Sequence, residues 1–316
     1  MKRALFVGLN DYPAPNTLGG CVADATGMRD MLSKNEDDSP NFQGILLTTA
    51  NEVTRDGLTG SITQLFAQPA DVALLYFSGH GYLDNNLGGY LVTSDATQYS
   101  MGLRMSDVLE LANSSPVKEV FVILDCCHSG NFGQVPASQG QVSSLNEGRS
   151  ILMASRGTES ALEINGEGVF TRHVLAALQG GAADILGKVT SASIYAYLDE
   201  VLGAWDQRPL FKANISRLHS LRMCKPQVPL EILRRLPTYF RTVDAVFDLD
   251  PSFEPTEAPK SEANEQVFAE LQKLRAARLV EPVGEEHLYY AALNSKGCRL
   301  TQLGQFYWRL AKDSKI

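Results

Sequence analysis

The chain has 316 residues, 44% of them hydrophobic and 20% charged, a balance that excludes a disordered segment or a fibre and fits a soluble globular protein. Its length allows one large domain and a smaller one. The formal net charge of −8 argues against a main task of holding nucleic acid phosphates, yet it leaves room for an acidic site that attracts cationic side chains.

At the N-terminus, Lys2 and Arg3 precede an apolar run that ends by Gly8, shorter than the ~7–15 residues of a signal-peptide core. No uninterrupted apolar stretch approaches the ~18 residues of a membrane span. A cytoplasmic protein without membrane contact is expected. The five cysteines, Cys21, Cys126, Cys127, Cys224 and Cys298, are odd in number and follow no disulfide framework, as in a reducing compartment.

Residues 3–8, 44–50, 72–79, 120–125 and 150–155 are apolar, β-branched-rich runs of strand length. Amphipathic stretches at 21–32, 55–66 and 106–112 separate them, and further helices are expected at 169–178 and 191–202, with a last strand at 209–213. VALLYFS and VFVILD are apolar almost throughout, which implies strands covered on both faces. The expected fold is α/β, a mostly parallel sheet sandwiched by helices. Residues 131–148, rich in Gly, Ser, Gln and Asn, read as a long surface loop.

This first domain is expected to run over 1–222. Six prolines between 225 and 262 mark a linker, set at 223–262 and carrying one short helix at 229–235. Beyond it, a helix at 264–279, a strand at 288–293 and a closing helix at 301–310 resemble part of a winged helix, giving a small α+β module at 263–316. Residues 261–316 hold eight Lys/Arg and seven Asp/Glu, a net charge of +1 that is no basic footprint for nucleic acid. A protein-contact or regulatory role is expected for the module.

Two strand ends carry reactive side chains: YFSGHG at 76–81 and ILDCCHSG at 123–130. Ligands of open parallel sheets bind beyond the carboxyl ends of the strands, so neighbouring strands would bring His80 and Cys127 to one rim. Only a thiolate attacks a carbonyl, and an imidazole titrating near neutrality can take the thiol proton and return it to a leaving amine. Gly81 can bring its amide close to a developing oxyanion, with the Cys127 amide as the second donor. Adjacent Cys126, Cys127 and His128 cannot easily wrap one tetrahedral metal, and no CxxC accompanies them, so no metal site is expected.

These motifs, in this order, resemble the metacaspase and bacterial caspase-like branch of the caspase peptidases. The histidine precedes the cysteine by 47 residues, close to the spacing of about 50 in caspases. The resemblance extends through GLNDYPAPNTLGGCVADA, SILMASRGTESALE and GVFTRHVLAAL, so it covers about residues 1–222. It implies a cysteine endopeptidase with Cys127 as nucleophile, rather than Cys126, and His80 as its partner. It further implies an acidic pocket formed by Asp24 and Asp125, walled by Cys21 and Ser78, that accepts Arg in preference to Lys before the cut, in keeping with bidentate guanidinium–carboxylate pairing. Related enzymes are often zymogens cut after the catalytic cysteine, which makes Arg149 and Arg156 candidate processing sites and an activating protease or regulatory protein a candidate partner. Some relatives need calcium, but no spaced calcium loop appears, and that dependence stays open. No other cofactor is expected. The alternative to a peptidase of stress or defence responses is a catalytically silent scaffold on the same fold.

Overall fold

A computed structural model describes residues 1–13, 16–84, 86–126, 144–154, 163–164, 167–202 and 208–316. The chain divides into two compact units, Met1–Lys225 and Pro226–Ile316.

The first unit opens with β1 (Lys2–Gly8), α1 (Cys21–Ser33), β2 (Phe42–Leu47) and α2 (Arg55–Ala67). After β3 (Val72–Ser78) comes a small antiparallel sheet of β4 (Gly81–Asp84), β5 (Gly88–Thr97) and β6 (Ser100–Arg104). Next are α3 (Met105–Ser114), β7 (Glu119–Asp125), β8 (Arg149–Met153), β9 (Glu163–Ile164) and β10 (Glu167–Gly168). The unit closes with α4 (Val169–Ala176), β11 (Lys188–Val189), α5 (Ser191–Leu202), β12 (Leu210–Asn214) and β13 (Arg222–Met223).

Six strands form the central sheet in the order β12-β8-β7-β3-β1-β2. All pairs are parallel except β12 with β8. The period of 2 explains the two-sided core: Leu5, Val7, Leu75, Phe77, Val122 and Leu124 join one apolar cluster, while Ala4, Phe6, Leu74, Tyr76, Phe121 and Ile123 join the other. The first is covered by Leu58, Ile62 and Phe66 of α2 with Val108 and Ala112 of α3. The second takes Ala25, Met28 and Leu32 of α1, Phe170 and Val174 of α4, and Ile194 and Leu198 of α5. Each set has helical i, i+3/i+4 spacing, which is why these segments form helices over the sheet. Truncating a fully buried position such as Leu75 to alanine would cost about 2–5 kcal/mol.

Strand order sets the site. The chain runs from β1 outward to β2 and then crosses back, so β1 and β3 flank the point where the winding reverses. Gly8, Ser78 and Asp125 stand level with one another at the carboxyl ends of β1, β3 and β7.

The second unit contains α6 (Leu230–Arg234), α7 (Leu236–Tyr239), β14 (Val246–Asp248), α8 (Glu262–Ala276), β15 (Val280–Val283), α9 (Leu288–Leu293), β16 (Gly297–Leu300) and α10 (Gln302–Lys312). Its three strands pair antiparallel in the order β14-β16-β15. Two expectations differ from this arrangement. Residues 230–253 are folded rather than linker, because Leu233, Leu236, Phe240, Leu249 and Phe253 are buried and Trp308 Nε1 donates to Phe240 O at 2.7 Å. Residues 288–293 are helical, because their buried members, Leu288, Ala291 and Ala292, recur at helical spacing rather than alternating. The hairpin between the outer helices is instead β15 with β16, and α9 interrupts it.

Candidate active site

His80 stands two residues beyond the end of β3. Its backbone N donates to the Tyr12 hydroxyl at 2.9 Å, and the Tyr12 ring meets the imidazole edge-on, with centroids 4.6 Å apart and planes at 60°. His80 Nε2 lies 2.7 Å from the Asn16 carbonyl oxygen. A carbonyl only accepts, so Nε2 carries the proton and Nδ1 the lone pair of the neutral ring. Tyr12 and Asn16 lie on the segment between β1 and α1. Asn10 folds that segment back, with Nδ2 donating to Gly19 O at 3.1 Å and Oδ1 accepting from Val22 N at 3.3 Å.

The preceding Gly79 sits where a side chain could not. A Cβ there would lie 2.5 Å from the Tyr12 hydroxyl and 3.1 Å from the Phe77 ring. Gly79 N also donates to Asp125 O at 3.3 Å, which joins the loop after β3 to the end of β7.

Beside this loop two carboxylates are buried, Asp24 at 6% exposure and Asp125 at 7%. Asp24 comes from the first turn of α1, where the helix dipole favours a negative charge. Its Oδ2 accepts from Gly168 N at 3.3 Å and from Ser78 Oγ at 3.5 Å. Asp125 Oδ2 accepts from Thr171 Oγ1 at 2.6 Å, and Thr171 in turn meets the Tyr76 hydroxyl at 2.6 Å. Because Thr171 gives its proton to the carboxylate, Tyr76 must be the donor to Thr171. Burial, and then the charges of Asp125 and Asp24, hold the Tyr76 phenol well above its ordinary pKa, so it stays a donor.

Gly168 links the two carboxylates. A Cβ on it would stand 2.7 Å from Asp125 Oδ2 and 2.9 Å from Asp24 Oδ2, so those oxygens are no farther apart than the sum of the two distances. Two carboxylates this close can both accept hydrogen bonds from one cation that carries several N–H donors.

The structure thus brings together His80, Gly81, Ser78, Asp24 and Asp125 at one end of the sheet, with Cys21 buried at the start of α1. Cys126 follows β7 and belongs to the apolar cluster that also holds Tyr12, Phe77 and Leu91. Cys127, His128 and Arg156 lie outside the described residues. Arg149 does not suit a processing site: it opens β8 at 6% exposure, and its guanidinium donates to Ala112 O at 2.6 Å, Ser115 O at 2.6 Å and Val117 O at 3.0 Å. A protease needs an accessible, extended bond, whereas this one is held in the sheet.

Sequence reasoning passed over Tyr12, Asn16, Gly168 and Thr171. The signal was the two blocks GLNDYPAPN and GVFT, in which these four residues carry no role in the sequence reading. Among the described residues, no helix is long and apolar enough to cross a membrane.

Comparison with known proteins bears on this geometry. The caspase domain family matches residues 1–215. Metacaspase-2 from Trypanosoma brucei brucei is 30% identical over 153 residues, covering 42% of this chain and 43% of the relative. Metacaspase-1B from Aspergillus fumigatus is 26% identical over 185 residues, 53% of this chain and 45% of the relative. Metacaspase-2 from Arabidopsis thaliana is 29% identical over 153 residues, 43% of this chain and 36% of the relative. The chain therefore spans less than half the length of these relatives. The crystal structure of protein GSU0716 from Geobacter sulfurreducens is similar in fold, with a TM-score of 0.52 at 20% identity over 71% of this chain and 97% of that one. The matched residues take in the whole six-stranded sheet and every described residue around His80, and on that ground the chain belongs to the caspase domain family of cysteine peptidases.

Proposed function

We propose that the chain is a cysteine endopeptidase that cuts proteins after arginine, and less readily after lysine. The observation that carries the specificity is the buried pair Asp24 and Asp125 converging on Gly168 beside the His80 strand end. A guanidinium presents five donors in a fixed fork and can serve both carboxylates, whereas an aspartate side chain would be repelled.

The proposed chemistry uses a Cys–His dyad. His80 Nδ1 takes the Cys127 thiol proton while Nε2–H stays on the Asn16 carbonyl. The thiolate adds to the scissile carbonyl carbon, and the amides of Gly81 and Cys127 receive the developing oxyanion. Collapse breaks the C–N bond, and the imidazolium proton leaves with the amine. Water, deprotonated by the same nitrogen, then hydrolyses the thioester and restores the thiol.

Control by cleavage is constrained by the same specificity. Residues 128–148 contain no lysine or arginine, and Arg149 is buried in β8. Self-maturation in this region would therefore use Arg156.

Hydrolysis of matched fluorogenic peptides with Arg, Lys or Asp before the cut, by wild type and Cys127→Ala, tests the reading. The expected order is Arg above Lys, with Asp uncut and the variant inactive. Preference for Asp would overturn the acidic pocket, and equal rates in the variant would end the nucleophile assignment. A wild type that stays inert after cleavage at Arg156 would favour the silent scaffold.

A further inference from the structure

Antiparallel strands exchange two N–H···O=C bonds at alternate residue pairs. β4 and β5 pair Gly81 with Leu91 and Tyr82 with Tyr90, so the next pair along the register is His80 with Val92. Half of that exchange is made, with Val92 N donating to His80 O at 3.0 Å. The reciprocal half is diverted. His80 N donates to the Tyr12 hydroxyl at 2.9 Å, and that hydroxyl donates onward to Val92 O at 3.3 Å. One phenolic oxygen has entered between two backbone groups that would otherwise meet directly.

This insertion has consequences for the histidine. The ladder is held open by the size of one oxygen atom at the residue that precedes Gly81. The buried Tyr12 ring lies against the edge of the imidazole, so the same residue contacts both the backbone and the side chain of His80. Gly79 completes the fit, because any Cβ there would strike the hydroxyl. Burial also pushes the Tyr12 phenol well above its ordinary pKa, which keeps the proton that Val92 O requires.

We propose that Tyr12 is a positioning residue for His80, its hydroxyl acting as a spacer that sets where the His80–Gly81 backbone stands relative to β5. The inference rests on the reading of His80 as the base. Phenylalanine at position 12 keeps the ring but lets His80 N close onto Val92 O, which moves the imidazole and the Gly81 amide together.

The test compares wild type, Tyr12→Phe and the hydroxyl control Tyr99→Phe, whose residue is 94% exposed. Three readouts are taken on the full chain: kcat and KM on an Arg peptide, the thermal midpoint, and the rate of Cys127 carboxamidomethylation against pH. In Tyr12→Phe, kcat falls about 10- to 100-fold while KM stays within about twofold, as expected for misplacement on the scale of an ångström. The acid limb of alkylation also moves to higher pH, because a displaced imidazolium stabilises the thiolate less. Tyr99→Phe follows wild type. A wild-type kcat together with an unmoved alkylation profile in Tyr12→Phe would overturn the spacer role. Should that variant be too unstable to assay, Gly79→Ala decides, since its methyl displaces the hydroxyl and must lower kcat; wild-type kcat there would also overturn it. A wild type that hydrolyses no Arg peptide counts against the proposed function instead, and the alkylation profiles still judge Tyr12.

Discussion

Replacing Gly168 with alanine adds one methyl group at the point where the two pocket carboxylates converge. The backbone tolerates the change, because Gly168 has φ −67° and ψ 123°, values open to any L residue. The obstacle is space: the new Cβ would lie 2.7 Å from Asp125 Oδ2 and 2.9 Å from Asp24 Oδ2, well inside contact distance. One carboxylate must turn away, and the substrate guanidinium then loses at least one charge-assisted hydrogen bond. Such a bond is worth about 1.5–3 kcal/mol, or about 10- to 150-fold in kcat/KM. The assay is kcat/KM on an Arg peptide, paired with alkylation of Cys127 as a readout independent of the pocket. Gly60→Ala supplies the control, since a Cβ on that residue of α2 meets nothing within 4 Å. Gly168→Ala should lose hydrolysis by the stated factor and keep wild-type alkylation. Undiminished cleavage after arginine would refute the placement of the guanidinium between Asp24 and Asp125.

Two further outcomes concern stability and titration. Arg149→Met removes the guanidinium donor from the carbonyls of Ala112, Ser115 and Val117, of which Ala112 O keeps the Ser115 amide at 3.3 Å, and should destabilise the fold by about 2–4 kcal/mol in urea titration. A change under about 0.5 kcal/mol would show that surface rearrangement satisfies them. Burial raises the Cys298 thiol from its ordinary 9.0 to about 12, so it should resist alkylation at pH 8 in the native chain and react promptly in urea. Because its native pKa is raised, its contribution to stability is full below pH 9 and declines as pH climbs toward 12. Native labelling of Cys298 at pH 8 would contradict that burial.

The parallel sheet was readable because β3 and β7 are apolar on both faces, and a run without alternation implies cover on both sides. His80 was readable because its motif sits at a strand end, whereas Asp24 and Asp125 were singled out by the family resemblance alone, since a carboxylate in a first helical turn or at a strand end is ordinary by itself. The β4–β6 sheet was not readable. Its strands contain Gly81, Gly88, Gly89 and Gly102, and β5 carries a bulge between Val92 and Thr97 that breaks the period of 2. Residues 288–293 misled for the opposite reason: adjacent Tyr289 and Tyr290 suggest a strand, and only the buried spacing of Leu288, Ala291 and Ala292 reveals the helix. Prolines misled at 226–259, where they open or separate short folded elements, with Pro237 in the first turn of α7, rather than marking a free linker. Tyr12 was hidden in another way. Its role depends on a register between β4 and β5 some eighty residues away, and no local pattern encodes that contact.

The most direct test of the dyad is covalent. The chain is incubated with a peptidyl chloromethyl ketone ending in arginine, and the modified residue is located by peptide mass spectrometry in wild type and in His80→Ala. One adduct on Cys127, formed far more slowly in His80→Ala and suppressed by excess Arg peptide, is the predicted result. An adduct on Cys126 or another cysteine, or equal labelling of Cys127 without His80, would contradict the assignment.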